Sequence, residues 1–348
     1  MKYIYILIAL TFCSVNTLRA QDLTDVITGV TTPHDIVVVG NDLYIASGAS
    51  EIYKVDLTEE IPAILHVAYA GYNFGLAING NDLYIAESIF DPQISKLDIT
   101  ATLPTNRTTV IQTDDPTHGL VLHNNDLYYS NGLRISKIDV SDVIPTSIDI
   151  VTGLVDHSAG LVFNGDDLYF AQPISGKISK ISITDSTPIA IEILTGLSSP
   201  FGLAMHGNEL YFGESATGKI SKINITDITP IVTEVIIGLG GPVGLFIDNN
   251  NLYIAELGAN KVSKYPLPSL SVEEIPAQNL IISPNPAEEY IKIQGLNTVK
   301  EYRIYNILGI EVLKGYLSDN GSVQVKSLNN GLHFIVLEGN TTIKFIKR

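Results

Sequence analysis

Residues 202–239 read GLAMHGNELYFGESATGKISKINITDITPIVTEVIIGL. Four short apolar runs stand in this stretch, at 202–207, 210–214, 219–224 and 231–239. Asn208-Glu209 makes the first turn, and a turn holding Pro230 precedes the last run. Branched and aromatic residues fill the runs, with Gly, Asn, Asp and Pro between them. That composition predicts strands, and helical periodicity is almost absent.

The same pattern recurs along the chain. Leu-Tyr stands at Leu43-Tyr44, Leu83-Tyr84, Leu127-Tyr128, Leu168-Tyr169, Leu210-Tyr211 and Leu252-Tyr253, in steps of 40, 44, 41, 42 and 42 residues. A second marker follows each pair: Ile52-Tyr53-Lys54, Ile94-Ser95-Lys96, Ile135-Ser136-Lys137, Ile178-Ser179-Lys180, Ile220-Ser221-Lys222 and Val262-Ser263-Lys264. A third, Gly-Leu, precedes five of them, at Gly75, Gly119, Gly160, Gly202 and Gly244. The first repeat carries Asp35-Ile36 instead. In these pairs Leu reads as packed between units and Tyr as half-buried. The marker lysines read as a solvated edge.

Six four-stranded repeats of this length are the signature of a β-propeller. The last repeat lacks a fourth strand after Tyr265-Pro266. Residues 25–30, DVITGV, match the fourth strands DIVTGL (149–154), EILTGL (192–197) and EVIIGL (234–239). The N-terminal strand is therefore expected to complete the sixth blade and close the ring, removing its free edges. The fold class is all-β: a six-bladed propeller over residues 21–265, a Pro- and Ser-rich linker over 266–278, and a small β-sandwich over 279–348.

The first 20 residues read as a signal peptide. Lys2 gives the positive start, residues 4–12 (IYILIALTF) the apolar run, and Ala20 the small residue before cleavage. The run is too short to span a bilayer as a helix, and no later stretch is long and apolar enough. Cys13, the one cysteine, lies inside this segment, so the mature chain has no disulfide framework.

The 348 residues hold 21 Lys and Arg against 37 Asp and Glu, a formal net charge of −16. Residues 21–276 hold 11 basic and 31 acidic residues, a net of −20. This excludes nucleic acid, whose binders need a basic surface, and a polybasic membrane contact. With 45% apolar and 17% charged residues, the chain is not disordered.

Residues 279–348 have a texture of their own. Pro284-Asn285-Pro286 opens the segment; Tyr305-Asn306-Ile307-Leu308-Gly309 and Leu328-Asn329-Asn330-Gly331-Leu332-His333-Phe334 follow, and Lys344-Phe345-Ile346-Lys347-Arg348 ends it. These motifs resemble the type A sorting domain of type IX secretion cargo in Bacteroidetes. The resemblance implies that residues 279–348 engage the type IX machinery and that the product is secreted or held on the outer cell surface.

In a propeller the first strand of each blade lines the channel, so rim residues gather around the axis. Three residues past each repeat Tyr stand Ser47, Glu87, Asn131, Gln172, Glu214 and Glu256. One reading is an axial Ca²⁺ or Mg²⁺ site, with Glu87, Glu214 and Glu256 as metal ligands supported by the amides of Asn131 and Gln172. The other is turn chemistry, in which these side chains accept backbone N–H bonds. Repeats reproduce turn residues for structural reasons alone, which favours the second.

A second row, ten residues before each Tyr, reads His34, Phe74, His118, Ala159, Phe201 and Val243, with Tyr72 and His157 close by. His34, His118 and His157 are the catalytic candidates; Tyr72, Phe74, Asn131, Gln172 and Phe201 are the candidate ligand contacts. The repeat resembles NHL and streptogramin-lyase (virginiamycin B lyase-like) propellers. Those lyases pair a His with a Glu ending the second strand of the same blade. Here His34 and His118 sit in blades ending in Ser47 and Asn131, so the chemistry does not follow from the fold. The expected function is an exported module that binds an extracellular ligand or protein. The alternative is a metal-dependent lyase or lactonase-type hydrolase with an axial site, using a pair such as His118 with Glu87.

Overall fold

The computed structural model describes residues 23–88, 91–267, 281–294, 301–307, 310–317, 321–337 and 341–348. The signal-peptide segment and Cys13 lie outside them. The chain divides into two compact units, Met1–Leu267 and Pro268–Arg348. Among the described residues, no helix is long and apolar enough to cross a membrane.

The first unit is a ring of six four-stranded antiparallel sheets. In the fifth blade the strands are Pro200–His206, Glu209–Glu214, Lys219–Asn224 and Thr233–Ile237. The last is shorter than the apolar run suggests, because Gly238 turns away with φ +82° while Leu239 stays buried. Leu203 faces Phe212, Leu210 faces Ile223, and Ile220 faces Ile236. A register shift after the marker isoleucine recurs at Ile52, Ile94, Ile135, Ile178 and Ile220. Such a bulge increases local twist.

Each blade presents alternate residues to its two neighbours, so the core is a set of wedges between blades. The Tyr of each repeat is buried rather than half-buried; Tyr44 is 1% exposed. The marker lysines are paired rather than solvated. Lys54, Lys96, Lys137, Lys180 and Lys222 each meet the acid that opens the second strand, Asp42, Asp82, Asp126, Asp167 or Glu209, at 2.6–2.7 Å. Each also lies 5.5–5.9 Å from its repeat-Tyr ring centre.

The sixth sheet joins Pro242–Asp248, Asn251–Glu256 and Lys261–Pro266 to Thr24–Thr28. Thr24 pairs with Lys264 and Thr28 with Lys261, so the N-terminal strand closes the ring. The third strand runs through Pro266, and Leu267 is buried in the adjoining core, both within the segment read as linker. The glycine of the Gly-Leu marker sits where neighbouring inner strands nearly touch. A Cβ on Gly202 would meet the Val243 carbonyl oxygen at 2.7 Å, and one on Gly244 would meet that of His34 at 2.6 Å.

The second unit has a three-stranded sheet (Ile281–Ser283, Tyr290–Gln294, Ser322–Gln324) and a four-stranded one. The latter holds Glu311–Tyr316, Glu301–Asn306, Gly331–Leu337 and Thr341–Lys347. Ile291, Ile304, Ile335 and Phe345 lie in its core. Its motif residues serve as internal ties. Asn285 Oδ1 accepts the Ile346 N–H at 2.9 Å, and Asn306 Oδ1 accepts that of Ile310 at 3.0 Å. His333 bonds the Asn329 carbonyl through Nε2 at 2.8 Å.

Candidate functional site

The six inner strands enclose a channel of about 410 Å³. Its wall is aliphatic along most of its length, with Ile36, Leu76, Leu120, Leu161, Leu203 and Leu245 in one layer. His34, Phe74, His118, Ala159, Phe201 and Val243 form the ring at the end where these strands begin. One sequence row thus comes together around the axis.

Much of that rim is a run of touching rings. Tyr72 packs on His34 at 5.6 Å between ring centres and on Phe74 at 5.1 Å. His34 meets Phe74 at 4.6 Å, Phe74 meets His118 at 4.5 Å, and His118 meets His157 at 4.7 Å. Burial pushes His34 down to about 4. Burial, with His157 and His34 nearby, pushes His118 to about 4 as well. Both imidazoles are therefore neutral at physiological pH. His34 Nε2 and His118 Nδ1 are buried without a hydrogen-bond partner among the described residues.

The other row does not reach the axis. Glu87 Oε2 accepts the Gly71 N–H at 2.7 Å, and the carboxylate also meets Gln93, Ser95 and Arg107. Glu214 Oε2 accepts the Ser198 N–H at 2.9 Å, and Ser221 donates to Oε1. Glu256 Oε2 accepts the Gly240 N–H at 2.7 Å, while Ser263 and Lys261 meet Oε1. Each acceptor lies 16 residues after its donor, so each carboxylate ties down the loop before its own blade's inner strand. Asn131 does the same with the Asp115 N–H at 3.2 Å, and Gln172 takes a bond from Ser179 at 3.1 Å.

This is the turn arrangement and not the axial one. Glu87, Glu214 and Glu256 do not converge, and Asn131 and Gln172, each 3% exposed, do not line the channel. Among the described residues, no group of three or more His, Cys, Asp or Glu is placed to hold a metal. His118 does not pair with Glu87. The His–carboxylate pairs among the described residues are His66–Glu51 at 4.0 Å and His123–Asp166 at 3.9 Å.

Sequence reasoning passed over Asp35, although the broken Gly-Leu marker pointed to it. Its side chain enters the channel wall where the other five blades have glycine. Oδ1 accepts the Ile36 N–H at 2.9 Å, and Oδ2 accepts the Leu76 N–H of the next blade at 2.8 Å. Burial pushes its carboxyl up to about 7, against the pull of those two N–H bonds. Among the described residues, no Lys, Arg or Glu lines the channel.

Residues 282–348 match the model of the secretion system C-terminal sorting domain. The C-terminal unit is a type IX sorting domain. The protein is thus type IX cargo, delivered to the cell surface or the medium, and its tail engages the export machinery. No curated protein sequence matches the chain. Among solved structures, the first unit resembles a streptogramin B lyase (18% identity, TM-score 0.52, 71% of this chain and 87% of that one). It also resembles an auxiliary nutrient binding protein from Bacteroides ovatus (13%, TM-score 0.57, 70% and 75%). A nidogen/laminin complex gives 17% identity and a TM-score of 0.55, covering 65% and 89%. At these identities the likeness is one of fold, and the fold is a β-propeller.

Proposed function

We propose that the exported propeller is a binding module that takes a small, largely apolar ligand into the mouth of its channel. The observation that carries this is the aliphatic channel of about 410 Å³ capped by contacting aromatic and imidazole rings. An apolar concavity with a few polar groups at its rim is the usual form of a small-molecule site. His34 and His118 bring imidazole rings to that rim. The Bacteroides ovatus protein of similar fold is an auxiliary nutrient binding protein, in keeping with a binding role.

The alternative, metal-dependent lyase or lactonase chemistry with axial Ca²⁺ or Mg²⁺, needs carboxylates free to face the axis. Those of Glu87, Glu214 and Glu256 are engaged by backbone and side-chain donors within the blades, which favours binding over catalysis. A small-molecule library screened by ligand-observed NMR tests the reading. Hits should be lost in Phe74→Ala and Phe201→Ala and retained in the exposed-loop variant Ile228→Ser. Hits indifferent to both channel variants would move the site elsewhere. A Tm rise with Ca²⁺ that Glu87→Gln abolishes would restore the metal reading.

A further inference from the structure

We propose that the channel selects a small organic cation, an amine or quaternary ammonium on an apolar body, with Asp35 as its counter-ion; this rests on the channel mouth being a ligand site. Five blades have glycine at this register, and the neighbouring backbone approaches closely enough to crowd any Cβ there. Only the first blade puts a side chain into that layer, and the side chain is a carboxyl. Its two N–H bonds use one acceptor direction on each oxygen, leaving further lone pairs.

The surroundings favour a positive guest. Among the described residues no Lys or Arg lines the channel to satisfy Asp35, so an anionic ligand would meet a carboxyl with no cation to offset it. Phe74 and Phe201 line the channel mouth, and aromatic rings attract alkylammonium groups. His34 and His118, kept neutral by burial, add no repulsion. The net charge of −20 on residues 21–276 enriches cations around the propeller.

Calorimetry on the purified full-length chain at pH 8 tests this, with 2-phenylethylammonium, 2-phenylethanol and 3-phenylpropionate as probes. The amine should bind about tenfold or more tightly than the alcohol, as a charge-assisted hydrogen bond implies, and the propionate not at all. In Asp35→Asn the amine advantage should fall to within about twofold while alcohol binding is unchanged. Asp35→Gly, which carries the residue five blades already use, serves as a second variant should Asp35→Asn unfold. Alcohol binding as tight as the amine, or an amine preference that survives both variants, would overturn the cation proposal and leave the channel site standing. Binding of none of the three probes would overturn both.

Discussion

Asp35, His34 and His118 give the propeller a pH dependence whose sign can be worked out. Asp35 titrates near 7 in the fold against an ordinary value of 3.8, so the fold favours its neutral form. That stabilisation is present below the ordinary value and is lost as pH rises to about 7. The two histidines are depressed from 6.5 to about 4. The unfolded chain binds more protons in that window, so their contribution is lost as pH falls from 6.5 towards 4. Thermal melts across pH should separate the two effects. The Tm difference between Asp35→Asn and the native chain should grow in the variant's favour from pH 4 to pH 8. His118→Phe should flatten the acid-side loss. Parallel profiles for all three proteins would refute the assignment. At the same scale, Glu256→Ala takes the acceptor from the part-buried Gly240 N–H and leaves the Ser263 hydroxyl only its longer bond to Asp25, and should cost about 2 kcal/mol in urea unfolding. Gly202→Ala puts a methyl group 2.7 Å from the Val243 carbonyl oxygen. Its cost should lie at the upper end of the usual overpacking range, about 1–3 kcal/mol.

The individual strand pair explains why the repeat has the letters it has. In the marker Ile-Ser-Lys of the fifth blade, the isoleucine is core, the serine holds the residue ending the second strand, and the lysine bridges an acid and a tyrosine ring. The sixth blade departs from this. Asn251 stands where the others carry Asp or Glu, and Lys264 has no carboxylate partner among the described residues. Asn251→Asp should supply the pair and raise stability by about 0.5 kcal/mol, in the range of partly exposed ion pairs. An unchanged urea midpoint would show that the pair adds nothing there. The strands themselves were legible because Leu-Tyr and Ile-Ser-Lys recur at nearly fixed spacing, and burial with period two enforces that spacing. The direction of Glu87, Glu214 and Glu256 was not legible. A residue ending a strand can face the axis or fold back on the preceding loop, and only the placement of Gly71, Ser198 and Gly240 decides between them. The lysine pairs were missed for a related reason. Their partners lie 11–14 residues earlier across a hairpin, where register and not proximity in sequence brings them together.

For the whole molecule, closure is the dominant fact. The strand Thr24–Thr28 lies on Lys261–Pro266, and Lys261 meets Asp25 at 2.6 Å. Removing residues 21–30 would leave the sixth sheet with a bare edge facing solvent, the usual template for unwanted pairing. Such a chain should melt at lower temperature and aggregate in light scattering, while Asp25→Ala alone should have only a small effect. Closure also orders events in time. The first strand of the propeller in chain order is paired only with the last, some 240 residues downstream. Until that partner arrives, the first strand has nothing to pair with and the early blades form an arc, not a ring. So late a long-range contact places the slow step of folding at the seam. The channel, which needs all six inner strands, comes into being only when the seam is joined.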